Sequence, residues 1–345
     1  MKNSKKPWLL TAPLLIALAA FALIRGGEKE PVEAFYSDAG RDTQFALLGD
    51  RLVTLSDTHF ALYSPDGTEL ISQSVELDSP TLRAGEKLAA AGDIGGTALY
   101  LAYEDGLRTV DNGESLISLS ACGDKAAVCT TQAGYMGSVT VYASDGKPLF
   151  KWYSAHGIPL CAALSPDGER LAVICAADPG STVHIFRLGS ETELCSCSFK
   201  DELLFSLGWL SDDRVCALSE YGAYAVNMRG RKCADFSFDG QALAQYAYCD
   251  GGLALYLQPY ETGGSGRLVI LGEGLGEKGS AAVELVSLDA RDGRILALTG
   301  SSALLYNEKA ELVGTLDAGN AIRALLTKSG NAVLISRDRA IEIEF

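Results

Sequence analysis

From about residue 33 to the C-terminus, apolar positions fall in short runs separated by clusters of Gly, Asp, Ser and Pro, with little of the spacing that marks an amphipathic helix. Ile341, Ile343 and Phe345 alternate with Glu342 and Glu344, as in a strand with one face in a core. Residues 171–175 and 183–186 are apolar at nearly every position, which suits strands sandwiched between neighbouring sheets. The chain is therefore predicted to be all-β, made of sheets that stack on both faces.

The texture repeats. Segments 52–75, 127–153, 215–238 and 295–316, and the shorter 333–345, each read as strand, short turn, strand, tight turn, strand. The second turn is the clearest marker: Asp66-Gly67, Asp145-Gly146, Arg229-Gly230 and Glu308-Lys309 are mostly pairs that tolerate the positive φ of a tight hairpin. Weaker units near Pro80, Pro159 and Gln241 complete a series starting near residues 43, 80, 116, 159, 203, 241, 284 and 321. A spacing of roughly 40 residues accommodates four short strands. One such sheet cannot bury two apolar faces alone, so the units must pack radially or as a solenoid. The expected fold is a β-propeller of eight four-stranded blades, with seven as the alternative because the unit from Pro80 to about Asn112 is poorly marked. The final unit supplies three strands and residues 32–36 a fourth, so both ends of the chain are expected in one blade, which removes exposed sheet edges.

The first 27 residues differ from the rest. Lys2, Lys5 and Lys6 precede residues 7–24, which are uncharged and mainly apolar, and Arg25 follows. As a helix those 18 residues would span about 27 Å, enough to cross a bilayer core. The lysines ahead of the apolar run place the N-terminus inside and the remainder outside. The expected organisation is a basic tip and transmembrane signal-anchor over residues 1–27 and an extracytoplasmic propeller over 28–345. Ala20-Phe21-Ala22 supports an alternative, secretion after cleavage near Ala22. No cysteine precedes Cys122, which argues against a lipoprotein anchor.

The four cations of this tip carry no acid with them, whereas the whole chain has a net charge of −15, leaving −19 on the remainder. So acidic a body repels phosphate backbones and anionic headgroups, which disfavours nucleic acid and polybasic membrane docking.

Residues 163–188, which open Ala163-Leu164-Ser165-Pro166-Asp167-Gly168, resemble the repeats of WD-repeat-like and YVTN-type bacterial propellers, and residues 62–70 echo them. With its N-terminal apolar segment the whole chain also resembles uncharacterised single-pass membrane-anchored propeller families of Gram-positive bacteria. The resemblance implies the fold and carries no activity, because Ser-Pro-Asp-Gly builds a turn.

Motifs that would carry chemistry are mostly absent from the sequence. His59, His156 and His184 lie in separate units without metal-ligand spacing, and His184, inside an apolar run, reads as a hydrogen-bonded structural residue. The nine cysteines, Cys122, Cys129, Cys161, Cys175, Cys195, Cys197, Cys216, Cys233 and Cys249, include no Cys-x-x-Cys pair and mostly occupy strand positions suited to a small apolar side chain, although one or two cross-blade disulfides stay open. Quinone-dependent dehydrogenases with eight blades carry tryptophan-rich docking motifs, whereas only Trp152 and Trp209 follow the N-terminal segment here. No Gly-x-Ser-x-Gly nucleophile motif and no calcium loop is present. Asp212-Asp213 and Asp289-Ala290-Arg291-Asp292 are read as solvated turns.

No catalytic, cofactor or metal residue is therefore assigned, and no binding residue is fixed. The expected function is a non-catalytic protein-interaction scaffold in the cell envelope, with an envelope protein as partner. A receptor for a cell-wall glycan or small ligand, and an unrecognised enzyme, are the alternatives. Tyr135, Trp152, Tyr153, Tyr221, Tyr224 and Tyr260, read as lying in connecting segments, are candidate contact points because aromatic anchors dominate many interfaces.

Overall fold

The apolar runs end where the backbone can turn left-handed. Gly67 (φ 81°) and Gly146 (φ 76°) take that conformation, and at the corresponding corner of a later unit Ala310 does so too (φ 58°). The computed structural model describes residues 42–345, apart from 105, 191, 250 and 260–264, together with the backbone of Glu33–Phe35. Among the described residues, thirty-two strands form eight four-stranded antiparallel sheets.

The first sheet shows the plan: β2 (Gln44–Leu48), β3 (Arg51–Leu55), β4 (His59–Tyr63) and β5 (Glu69–Ser74) lie side by side in chain order. The innermost strands of the next six blades are β6 (Pro80–Ala84), β10 (Leu116–Cys122), β14 (Ile158–Leu164), β18 (Leu204–Ser211), β22 (Ala242–Cys249) and β26 (Ser287–Arg291). They start within about four residues of the repeat boundaries read from turn chemistry. The poorly marked second unit is a regular blade, so the count is eight.

Packing explains why the sheets form a ring. Eight apolar clusters occur among the described residues, each shared by two neighbouring blades, and the last joins blade 8 to blade 1 through Leu325, Val333 and Ile335 against Phe45, Ala61 and Tyr63. Middle strands supply the fully buried side chains, as at Leu171–Ile174 and Val215–Leu218. Burying each such Leu, Ile or Val contributes about 1.5–3 kcal/mol, which an isolated sheet could collect on one face only. Outer strands alternate exposed and half-buried positions, as in β17 (Glu193–Lys200) and β29 (Leu312–Asp317).

The eighth sheet is closed by both ends of the chain. Its order is β1 (Glu33–Phe35), β32 (Arg339–Ile343), β31 (Ala332–Ile335) and β30 (Arg323–Leu326). β1 and β32 pair antiparallel, Glu33 opposite Ile341 and Phe35 opposite Arg339.

The apolar segment 7–24 lies outside the described residues, among which no helix is long and apolar enough to cross a membrane. Two sequence expectations need correction. Asp289, Ala290 and Arg291 are not in a turn but on the inner strand β26, and Trp152, Tyr153 and Tyr224 sit in strands, β13 (Pro148–Ser154) and β20 (Gly222–Asn227), rather than connections. In each case a polar or aromatic residue near a turn signal belongs to the strand because the ladder extends one or two pairs further than the apolar run.

Candidate functional site: the two faces and the channel

All inner strands run in the same sense, so the ring has two unlike ends. At the back face lie the turns joining first to second and third to fourth strands of each blade. At the front face lie the turns joining second to third strands and the connections from one blade to the next.

The back face is occupied with itself. Its charged side chains reach across blade boundaries: Arg51 Nη1 to Glu104 Oε1 at 3.0 Å, Lys278 Nζ to Glu308 Oε2 at 2.5 Å, Arg170 Nη1 to the Asp212 carbonyl at 2.6 Å, and Arg214 Nη1 to the Glu273 carbonyl at 3.1 Å. The Ser165-Pro166-Asp167-Gly168 turn belongs to this belt, its Asp167 carboxylate held below the usual range by hydrogen bonds from Ser165 and the Glu169 N–H and by Arg170, which outweigh the desolvation that would raise it. The similar turn at Ser64 lies between third and fourth strands, a different corner of its blade, so the motif marks turns and not register.

The front face differs. Leu203 is 60% exposed and Tyr221 64%, and Tyr135, Met136, Tyr153 and Ile158 are exposed beside them. The other exposed large apolar side chains sit in the channel, on front-face connections around the ring, or on the outer wall, where Leu70, Leu149, Leu194, Leu312 and Val313 are spread over four blades. Across blades 3 to 5 the exposed residues adjoin: Tyr135 stacks on Tyr153 with ring centroids 4.9 Å apart, and Met136, Ile158, Pro179 and Leu203 border one open cavity of about 730 Å³. Isolated exposed leucines need no explanation, but an adjoining group does.

This patch is rigidly mounted. Gly180 opens β16 (Gly180–Arg187) at φ 117°, and any Cβ there would run into the Phe199 carbonyl oxygen. The close approach lets Asp201 N–H bond to the Pro179 carbonyl at 3.2 Å and Leu204 N–H to Ser181 Oγ at 3.0 Å, pinning the connection that carries Asp201, Glu202 and Leu203. Glu202 Oε1 accepts from Ser219 Oγ at 2.7 Å and from the Tyr224 hydroxyl. Burial, then that carboxylate, push the Tyr224 hydroxyl up to about 12. Among the described residues, Asp178, Asp201, Glu202 and Glu220 take part in no ion pair, in contrast to the back face. Of the sequence-proposed aromatics, Tyr135 and Tyr153 stack here, Tyr221 is exposed on the front-face turn of blade 5, Tyr224 in the same blade bonds to Glu202, Trp152 packs on His184 and Phe186, and Tyr260 lies outside the described residues.

The channel, a cavity of about 850 Å³, gathers Arg83, Glu86, Asp289, Arg291 and Arg323 from blades 2, 7 and 8. An enzyme would place its acid and base in such a spot, but much of this set is engaged in joining blades. Arg291 donates to the Gly49 carbonyl at 3.1 Å and pairs with Glu86, which also meets Lys328 Nζ at 3.5 Å. Asp289 Oδ2 accepts the Leu326 N–H at 2.7 Å, stapling blade 7 to blade 8, as Gln44 Oε1 staples blade 1 to blade 2 through the Leu82 N–H at 2.9 Å.

Burial pushes the Asp289 carboxyl above its ordinary range, and the Leu326 hydrogen bond, Arg323 and Arg291 offset this only in part. A raised folded-state pKa in an acid means a stability penalty that is absent below the unfolded pKa, grows as pH rises through the folded pKa, and is complete above it. Asp289→Asn keeps an acceptor for Leu326 and removes the charge. Thermal melts should therefore show the variant gaining on the wild-type protein between pH 3 and pH 7; a difference that is flat or of opposite sign would show that Asp289 is stabilised as a carboxylate.

No three His, Cys, Asp or Glu side chains come together as a metal site among the described residues. All nine cysteines are free thiols. Burial pushes Cys129 and Cys216 up to about 12 and Cys175 to about 11, which suppresses the thiolate and with it nucleophilic or redox reactivity. His184 Nδ1 lies 3.2 Å from Glu193 Oε1 within its blade, a structural contact.

Residues 29–345 match the model of a family described as "Family of unknown function (DUF5711)", and the chain belongs to that family. No curated protein matches its sequence. Among solved structures, BamB from Moraxella catarrhalis is similar at 13% identity and a TM-score of 0.59, over 90% of this chain and 100% of that one. The Chaetomium thermophilum Sqt1, in a structure bound to the N-terminus of the ribosomal protein L10, is similar at 13% identity and a TM-score of 0.62, over 92% and 100%. At such identity the likeness is one of fold.

Proposed function

We propose that this DUF5711 protein is a non-catalytic scaffold in the cell envelope, held at the outer face of the cytoplasmic membrane by its N-terminal segment, and that it binds a protein partner through its front face. The observation that carries the reading is the contrast between the two faces: one spends its polar groups on its own blades, the other presents adjoining apolar side chains on a pinned connection. Sqt1, a ring of similar fold, is seen bound to a terminal segment of another protein, which supports the class of activity. The apolar run 7–24 behind Lys2, Lys5 and Lys6 supports the location.

A membrane-impermeant amine cross-linker applied to intact cells tests both parts. The expected result is a stoichiometric adduct between the full chain and one envelope protein. An adduct obtained only with a permeant reagent would overturn the location. No adduct with either reagent, together with turnover of envelope glycans, peptides or esters, would overturn the scaffold. A glycan receptor is the second reading, favoured by the exposed stacked pair Tyr135 and Tyr153; saturable glycan binding lost in Tyr135→Ala would establish it instead.

A further inference from the structure

The front-face patch has a chemistry that selects among protein partners. We propose that the groove over blades 3 to 5 takes an extended, cationic segment of the partner protein. An apolar side chain of that segment enters the cavity bordered by Met136, Ile158 and Leu203, and its Lys or Arg residues face Asp178, Asp201, Glu202 and Glu220. This rests on the protein-binding reading and deepens it.

Charge complementarity decides the occupant. Asp178, Asp201 and Glu202 border the cavity and Glu220 lies on the front-face turn of blade 5, none of them in an ion pair among the described residues, and the nearby cations on the same connections and strand ends are few: Lys151, which lies over the Tyr153 ring at 5.1 Å, and Lys200. A surface already rich in unpaired acid gains by meeting bases, and positive side chains would also be steered to a body of charge −19. An anionic lipid surface meets the same field as repulsion. A second copy is disfavoured by symmetry, since a two-fold interface would set these carboxylates against their own equivalents.

Shape decides the form of the occupant. The cavity is open along one side, and it is rimmed by the turn at Asp178–Pro179 and the connection at Asp201–Leu203. A folded convex partner would need a wider concavity, whereas a strand-like segment can insert one apolar anchor and let neighbouring side chains reach the rim. Asp201 itself has a left-handed backbone (φ 61°) and its N–H is bonded to Pro179, so the rim is organised before anything binds.

The test uses the full-length chain and three sets of 12-residue synthetic peptides in fluorescence anisotropy: apolar with Lys and Arg, apolar with Asp and Glu, and polar with Lys and Arg. The first set is expected to bind and the other two to bind at least tenfold more weakly. Leu203→Ser and the double change Asp201→Lys with Glu220→Lys should each weaken the first set about tenfold or more, the latter most at low salt. Glu273→Lys, a charge reversal on the back face, should leave it unchanged. Absence of binding by the first set, equal binding of the acidic set, or an equal loss with Glu273→Lys would overturn the proposal. If that happens while the cross-linked envelope adduct persists, protein binding stands and the cationic segment falls; loss of both removes the reading on which it rests.

Discussion

Deleting residues 28–38 is expected to lower the unfolding midpoint by roughly 8 °C, although the segment contributes a strand of three residues. The reason lies in where that strand sits. β1 pairs with β32 at Glu33, Ala34 and Phe35, and it is the fourth strand of a sheet whose other three strands, β30 to β32, lie about 300 residues further along the chain. Without it, backbone donors and acceptors of β32 lose their partners at about 1 kcal/mol net each, or more where water is slow to replace them. The ends of the chain are also no longer tied, so blade 8 is held only through β30 and its packing on blades 7 and 1. A total on the order of 4 kcal/mol corresponds to that shift at about 2 °C per kcal/mol for a domain of this size. Circular dichroism melts of the deleted and intact soluble proteins check it. An unchanged midpoint would mean that three-stranded blade 8 suffices to hold the ring.

The blades could be read from the sequence because turns are chemically loud. Asp66-Gly67, Asp145-Gly146 and Arg229-Gly230 place a residue free to turn left-handed at the same corner of blades 1, 3 and 5, and Gly67, Gly146 and Gly230 all have positive φ there. Inner strands then begin near each predicted boundary. The docking face was not legible, for a reason that Leu203 and Leu204 make plain. They are adjacent and identical, yet one is 60% exposed and the other fully buried, because β18 starts at Leu204 and the pleat turns it into the core between blades 4 and 5. Hydrophobic pattern alone cannot mark the last residue outside a strand.

Asp289 failed to stand out for the converse reason. Its neighbour Asp292 does occupy a turn, with φ 49°, and the two carboxylates look alike in sequence. Only strand register shows that Asp289 faces the channel and caps a backbone N–H of the next blade. The carboxylates of the front face were likewise hidden in an overall acidity that made every acid look like a solvated turn. Their meaning comes from contrast with a back face where Glu86, Glu104, Asp167 and Glu308 have found partners, and that contrast needs three-dimensional neighbours.

Replacing Leu203 by a photo-crosslinking amino acid is expected to give the other large effect, an all-or-none difference between faces. Leu203 projects beside the cavity on a connection held by Asp201, Pro179 and Ser181, so a reactive group there stays within the groove. Glu273, in a turn of the back face between β24 (Arg267–Gly272) and β25 (Glu277–Ala282), is a matched exposed position whose backbone carbonyl is engaged by Arg214. Neither change reaches the buried core, so folding should be equal by melting temperature. On irradiation of cells carrying the full chain, position 203 is expected to give one discrete protein adduct and position 273 none. Adducts of equal yield from both positions, or an adduct from position 273 alone, would contradict a front face that binds and a back face that serves its own blades.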